Sequence, residues 1–221
     1  IGVRVVAEQN KSIVQFVTMM RVFPHYHFRM DKRHFLGTAL ATGALPTIAA
    51  ANPAPAGGPT LLTVTGDIQR SNRGALDPVR DQMMFKQKLA FTRAFALDFA
   101  TISALPAHTI RPTLEYDSKP HALRGPLLAD VLALAGARPG DNSKVLLRAI
   151  DGYAAAVPMR QLRAWKFIVA THFDGQPMAL GGLGPLWAVY DADRVPEMAA
   201  RPVKERFGAC PWALYHIEVQ A

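Results

Sequence analysis

Cys210 is the single cysteine of the 221-residue chain and its only soft metal ligand, and it stands two residues before Trp212. One cysteine cannot close an internal disulfide, and no Cys/His cluster has the spacing of a zinc or haem site, so no metal set is assigned. A free cysteine of this kind also serves as a small buried hydrophobe. The seven histidines are scattered, and the pair His25 and His27 falls close to the N-terminus. No Ser/His/Asp set or pair of catalytic carboxylates emerges, so the catalytic residues are unknown. Arg124 directly precedes Gly125-Pro126 and a helical run, where free amides favour anions, and it reads equally as a surface arginine. Asp151-Gly152 followed by Tyr153 has the chemistry of a hairpin turn. Arg160 follows Pro158 on a short helical stretch, where a solvated position suits it. Gly181-Gly-Leu-Gly184 permits close backbone approach to a ligand, but without the strand-then-helix context of a dinucleotide fingerprint. Trp187 and Tyr190 read as core or pocket-wall aromatics.

The elements that must position these residues are short. Leu61 to Gly66 alternates and is β-branched, which predicts a strand, and Gln69 to Gln82 reads as a loop. Strands are expected around Leu89 to Thr92, at Phe95 to Leu97 and at Thr109 to Tyr116. Asp98 is placed to cap a helix that runs through Ala104 and stops before Pro106. After the turn Asp117-Ser-Lys-Pro, a return strand is expected at His121 to Leu123. Leu127 to Ala135 carries an apolar face at helical spacing, with Gly136 just past its end. Further strands are expected at Lys144 to Ile150, Tyr153 to Val157, Phe167 to Phe173, Met178 to Leu180 and Leu186 to Tyr190. Short helices are expected at Pro158 to Arg163 and Val195 to Ala200. The last strand, Trp212 to Val219, places Trp212, Leu214, His216 and Glu218 on one side and Ala213, Tyr215, Ile217 and Val219 on the other. The sum is a mixed α+β domain of mostly antiparallel short strands with a few short helices.

Half of the residues are apolar, enough for one domain of ordinary size. Lys and Arg outnumber Asp and Glu by 25 to 17, but six of the basic residues and only Glu8 and Asp31 among the acids precede residue 52. The remainder holds 19 basic against 15 acidic side chains, a net of +4, which gives little support for nucleic-acid binding.

Met30-Asp-Lys-Arg-His-Phe-Leu-Gly, the apolar small-residue run to Ile48 and Ala49-Ala50-Ala51 together read as an export signal with its cleavage site. The Lys-Arg pair looks like a twin-arginine signal with lysine in place of the first arginine, and the general secretory route fits equally. A membrane anchor is disfavoured, because the run falls short of the ~20 apolar residues a span needs and Gly43 and Pro46 interrupt it. The expected organisation is an upstream extension over 1–29, a signal over 30–51, a linker over 52–59 and a domain over 60–221, periplasmic or secreted, with no stable membrane span after cleavage.

The order Leu105-Pro106, a hairpin, Arg124-Gly-Pro-Leu-Leu, Ala149-Ile-Asp-Gly-Tyr, the Pro158 helix, Asp174-Gly, Gly184-Pro-Leu-Trp-Ala-Val-Tyr and Trp212 with Ile217-Glu-Val resembles the molybdopterin-binding domain of the sulfite-oxidase class. That family includes the periplasmic methionine sulfoxide reductase catalytic subunit, and the likeness is to its short single-domain bacterial members. The resemblance implies a pterin pocket, a molybdenum held by the dithiolene and one cysteine thiolate, and oxygen-atom transfer coupled to two electrons. It implies Arg124, Asp151, Tyr153, Arg160, Trp187 and Tyr190 as residues near the cofactor.

Three positions depart from the family's pattern. Where the thiolate ligand follows the first hairpin strand, this chain has Leu114, Glu115 and Tyr116; the arginine after the Gly-x-Pro element falls near Trp187; and the lysine before the terminal tryptophan is Pro211. An alternative from another class is therefore a non-catalytic periplasmic module that keeps the fold and binds a small molecule or partners a redox or sensor protein.

Overall fold

Leu62 and Val64 alternate with Thr63 and Thr65, and these residues form β1 (Thr60–Gly66). The computed structural model that carries this strand describes residues 57–220; the expected upstream extension, the expected export signal and most of the expected linker lie outside the described residues. Next come α1 (Gln82–Lys86), β2 (Phe95–Asp98), α2 (Phe99–Ser103), β3 (Ala107–Ile110), β4 (Leu123–Pro126) and α3 (Leu128–Leu134). They are followed by β5 (Lys144–Ala149), β6 (Ala154–Pro158), α4 (Met159–Ala164), β7 (Ile168–Ala170), β8 (His172–Phe173), β9 (Gln176–Pro177), β10 (Trp187–Val189), α5 (Pro196–Ala199) and β11 (Leu214–Gln220). The class is α+β.

The main sheet has the order β2-β1-β11-β5-β6, with β1 and β11 parallel and the other pairs antiparallel. A second sheet runs β3-β4-β8-β9, and β7 pairs with β10. One face of the main sheet presents Leu62, Val64, Val145, Leu147 and Ile217 to a core that includes Leu128, Val131 and Leu132 of α3 and Met159 and Leu162 of α4. Each of these buried side chains contributes about 1.5–3 kcal/mol over an exposed one. The opposite face carries a small cluster in which Met84, Leu89 and Tyr215 pack with Leu76 and Phe91, so residues 69–93 form a thin second cover.

Local chemistry accounts for several element ends. The Asp98 carboxylate accepts the Thr101 N–H at 2.8 Å, which caps α2 as expected. Gly125 is required by close approach: a Cβ there would stand 1.9 Å from the Val169 carbonyl oxygen, so β4 crosses β7 with no room for a side chain.

Other expectations are corrected. Residues 89–92 form no strand; Leu89 N–H donates to Met84 O as the chain leaves α1, a helix inside and just past the expected loop. The strand expected over 109–116 stops at Ile110, because Pro112 has no N–H to give a ladder, and only Thr113 bridges onward to Pro120. The return strand begins at Leu123 rather than His121, and the one expected at 178–180 is β9 instead. In β11 a bulge between Leu214 and His216 moves Leu214 onto the core face with Ile217 and Val219, and turns Tyr215 toward Met84 and Leu89.

Candidate functional site

Three segments far apart in sequence meet at a cleft of about 370 Å3: the 111–122 loop between β3 and β4, the turn between β5 and β6, and the stretch that leads into β11. Leu114, 1% exposed, anchors the first segment and leaves Glu115 and Tyr116 at the cleft. In the second, Asp151 Oδ1 accepts the Tyr153 N–H at 2.8 Å, and Gly152 takes the left-handed φ of 94° that this turn needs. The Tyr153 hydroxyl donates to Gly208 O, which ties the turn to the third segment. That segment is held from behind, where Trp187 Nε1–H donates to Cys210 O at 2.9 Å and Ala188 N–H to Pro211 O at 3.3 Å.

The lining is aromatic and acidic. Tyr116, Tyr153 and Trp212 are 56%, 49% and 42% exposed, unusually open for large rings, and Glu115 and Asp151 supply carboxylates. Among the described residues, no Lys or Arg lines this cleft. Burial raises the Tyr116 hydroxyl above its ordinary range, with the Glu115 carboxylate adding to the effect. Cys210 lies in the cleft wall at 4% exposure, and burial pushes its thiol far up, so it stays protonated and inert at neutral pH.

A second cleft, of about 880 Å3, has the opposite charge. Arg111, Arg163, Lys166 and Arg194 stand around an apolar wall that includes Leu127 and Trp165. Arg163 is engaged by Asp141, and Arg194 Nε lies 3.5 Å from Asp191; Arg111 and Lys166 make no ion pair among the described residues. Between the two clefts runs a stack of rings. Tyr190 lies 4.7 Å from Trp165 and 4.8 Å from Phe167 on one side, and 6.3 Å from Phe207, a wall residue of the smaller cleft, on the other.

The expected site residues scatter accordingly. Asp151 and Tyr153 line the smaller cleft, and the departing positions Glu115, Tyr116 and Pro211 join them there. Trp187 and Tyr190 are fully buried behind it, with the Tyr190 hydroxyl donating to Arg206 O at 2.5 Å. Arg124 is exposed on β4 and touches neither cleft; the first amide of α3, at Leu128, is taken by Phe167 O at 2.8 Å rather than left for an anion. Arg160 donates to Asn142 Oδ1 at 2.8 Å, also outside both clefts. The glycine loop makes its close approach to its own chain: a Cβ on Gly184 would stand 2.6 Å from Met178 O. Trp212 was expected as the first residue of the last strand and as the terminal tryptophan of the resemblance; it lies two residues before β11 and lines the cleft, and the basic cleft had no sequence signal beyond the Arg163-Ala-Trp-Lys166 run.

A molybdopterin complex is anionic and needs a thiolate together with cations for its phosphate. Among the described residues neither cleft offers both: the smaller has the buried Cys210 among carboxylates with no cation, and the larger has the cations but no thiol. The residues present do not fit the group.

No family model matches the chain, and no curated protein matches it. Among solved structures it is similar to the sulfane dehydrogenase SoxCD from Paracoccus pantotrophus, at 11% identity over 72% of this chain and 37% of that one, with a TM-score of 0.47. The chain thus spans well under half the length of that neighbour.

Proposed function

We propose that this chain is a non-catalytic ligand-binding module, exported to the periplasm, built on a scaffold that resembles the molybdopterin-binding domain. The observation that carries this reading is the separation of the two things a molybdenum cofactor needs, a sulfur ligand and phosphate-facing cations, into clefts on either side of the Trp165, Tyr190 and Phe207 rings. A phosphate beside Glu115 and Asp151, with no cation among the lining residues, would meet like charge rather than a partner. The smaller cleft instead has the makeup of a small-molecule site, a concave surface of rings with a few polar groups that fix orientation. The signal over residues 30–51 supports export, and a periplasmic redox or sensor protein is the partner such a module would inform.

The test is the molybdenum and pterin content of the protein purified from cells grown with ample molybdate. Neither should be found above trace amounts. Stoichiometric molybdenum would overturn the binding-module reading in favour of an oxygen-atom-transferring oxidoreductase.

A further inference from the structure

The smaller cleft brings together aromatic rings and carboxylates, a combination that suits a cationic ligand. Three half-exposed rings, Tyr116, Tyr153 and Trp212, come from three different segments and converge on one cavity of about 370 Å3. Exposing one large ring is ordinary; gathering three in one concavity leaves apolar surface that a ligand would cover. Glu115 and Asp151 stand in the same lining, and neither forms an ion pair among the described residues. Asp151 spends one oxygen on its own turn, at the Tyr153 amide, and keeps the other out of that bond.

The negative faces of aromatic rings and two unpaired carboxylates attract the same thing, a positive charge with an apolar coat. The walls are also fixed in advance. The Tyr153 hydroxyl is tied to Gly208, and the segment carrying Trp212 is tied to β10 through Trp187 and Ala188, so two of the three ring-bearing walls need little ordering when a ligand arrives.

We propose that this cleft binds a small organic cation of the methylated-ammonium class, held by the Tyr116, Tyr153 and Trp212 rings and neutralised by Glu115 and Asp151. This rests on the binding-module reading and deepens it by naming the ligand class of the same cleft. Trp212 serves as the reporter, because Trp187 is buried and Trp165 borders the other cleft.

The experiment titrates the full chain with choline and with its uncharged isostere 3,3-dimethylbutan-1-ol, following tryptophan fluorescence and, independently, calorimetry. Choline should bind saturably and roughly tenfold or more tightly than the isostere, as a desolvated cation–ring contact requires. Glu115→Gln with Asp151→Asn should cut that preference several-fold, the rings retaining the remainder, and Trp212→Leu should weaken choline by a similar factor while leaving the far-ultraviolet circular dichroism unchanged. Equal binding of choline and the isostere, an unaltered preference in the double variant, or no saturable binding of choline would each overturn the proposal. None of these outcomes bears on molybdenum content, so failure here and failure of the binding-module reading are told apart.

Discussion

His216 shows how one side chain can set the acid stability of the domain. It sits on β11 with 1% exposure, its Nε2 is 2.9 Å from Thr65 Oγ1, and its Nδ1 has no partner among the described residues. Burial, helped by the nearby Arg148 guanidinium, pushes its pKa down to about 3, so the ring is neutral in the folded protein. In the unfolded chain it takes up a proton near its ordinary value of about 6.5. Between these two values the unfolded state holds the extra proton. Stability therefore falls as pH drops from about 6.5 toward 3, by up to about 1.4 kcal/mol for each pH unit. His216→Gln, which keeps a polar end near Thr65, should flatten that decline. Denaturant midpoints measured across the interval check it, and parallel slopes for the two proteins would assign the acid sensitivity to other groups. The alternation of the last strand already placed His216 beside Glu218; its burial was not legible, because residues 69–93 cover that face without any local pattern that announces it.

The 111–122 loop shows the same logic at the level of an element. The loop that brings Glu115 and Tyr116 to the cleft is clasped at its end. His121 stands between two carboxylates, with Nδ1 2.7 Å from Asp174 Oδ2 and Nε2 3.0 Å from Asp117 Oδ2, and its ring lies 4.6 Å from Phe173. The hydrogen bonds to Asp174 and Asp117 raise the His121 pKa, and the same contact with His121 leads the causes that lower both carboxyls. The histidine's contribution is complete below its unfolded value of about 6.5 and is lost as pH climbs through its higher folded value. The carboxylates' contribution is present above about 4 and is lost as pH falls through their depressed values. The clasp is thus strongest between about pH 4 and 6.5, and its loss on the alkaline side is opposite in sense to the effect of His216. His121→Asn should remove the alkaline-side loss. The expected reading is a smaller drop in thermal midpoint between mildly acidic and alkaline buffer than in the unaltered chain, and an undiminished drop would show that the clasp does not hold the loop. From the sequence, the Asp117-Ser-Lys-Pro turn was readable. The end of β3 at Ile110 was not anticipated, although Pro112 was visible, because the β-rich run from Thr109 to Tyr116 outweighed one missing donor in the pattern. The partner Asp174 lies 53 residues from His121, a pairing that no local periodicity encodes.

At the scale of the molecule, what stayed out of reach was the pairing of distant segments. Strand existence was legible where alternation was strong, as in β1, or where a turn marked a hairpin, as between β5 and β6, but β1 joins β11 in parallel across most of the domain, and nothing in either sequence names the other. Both clefts are products of such long-range meetings. The same topology makes the two faces of the main sheet unequal: one packs against α3, α4 and the large core, and the other against the thin cover of residues 69–93, whose buried side chains Met84 and Leu89 meet Tyr215 of β11. Two bonds through Gln87 reinforce that cover, the Tyr215 hydroxyl donating to Gln87 Oε1 at 2.6 Å and Gln87 Nε2 donating to Ile150 O at 3.0 Å. Little apolar area secures this layer, so it should open in local excursions well below the free energy of global unfolding. Native-state hydrogen exchange should show the Gln87 and Leu89 amides exchanging far faster than those of Val145, Leu147 and Ile217. Tyr215→Phe removes one bond of about 1 kcal/mol and should speed exchange in 69–93 several-fold while leaving the β5 amides within experimental scatter. If β5 and the cover accelerate together, the domain unfolds as one unit and the two faces are equally strong.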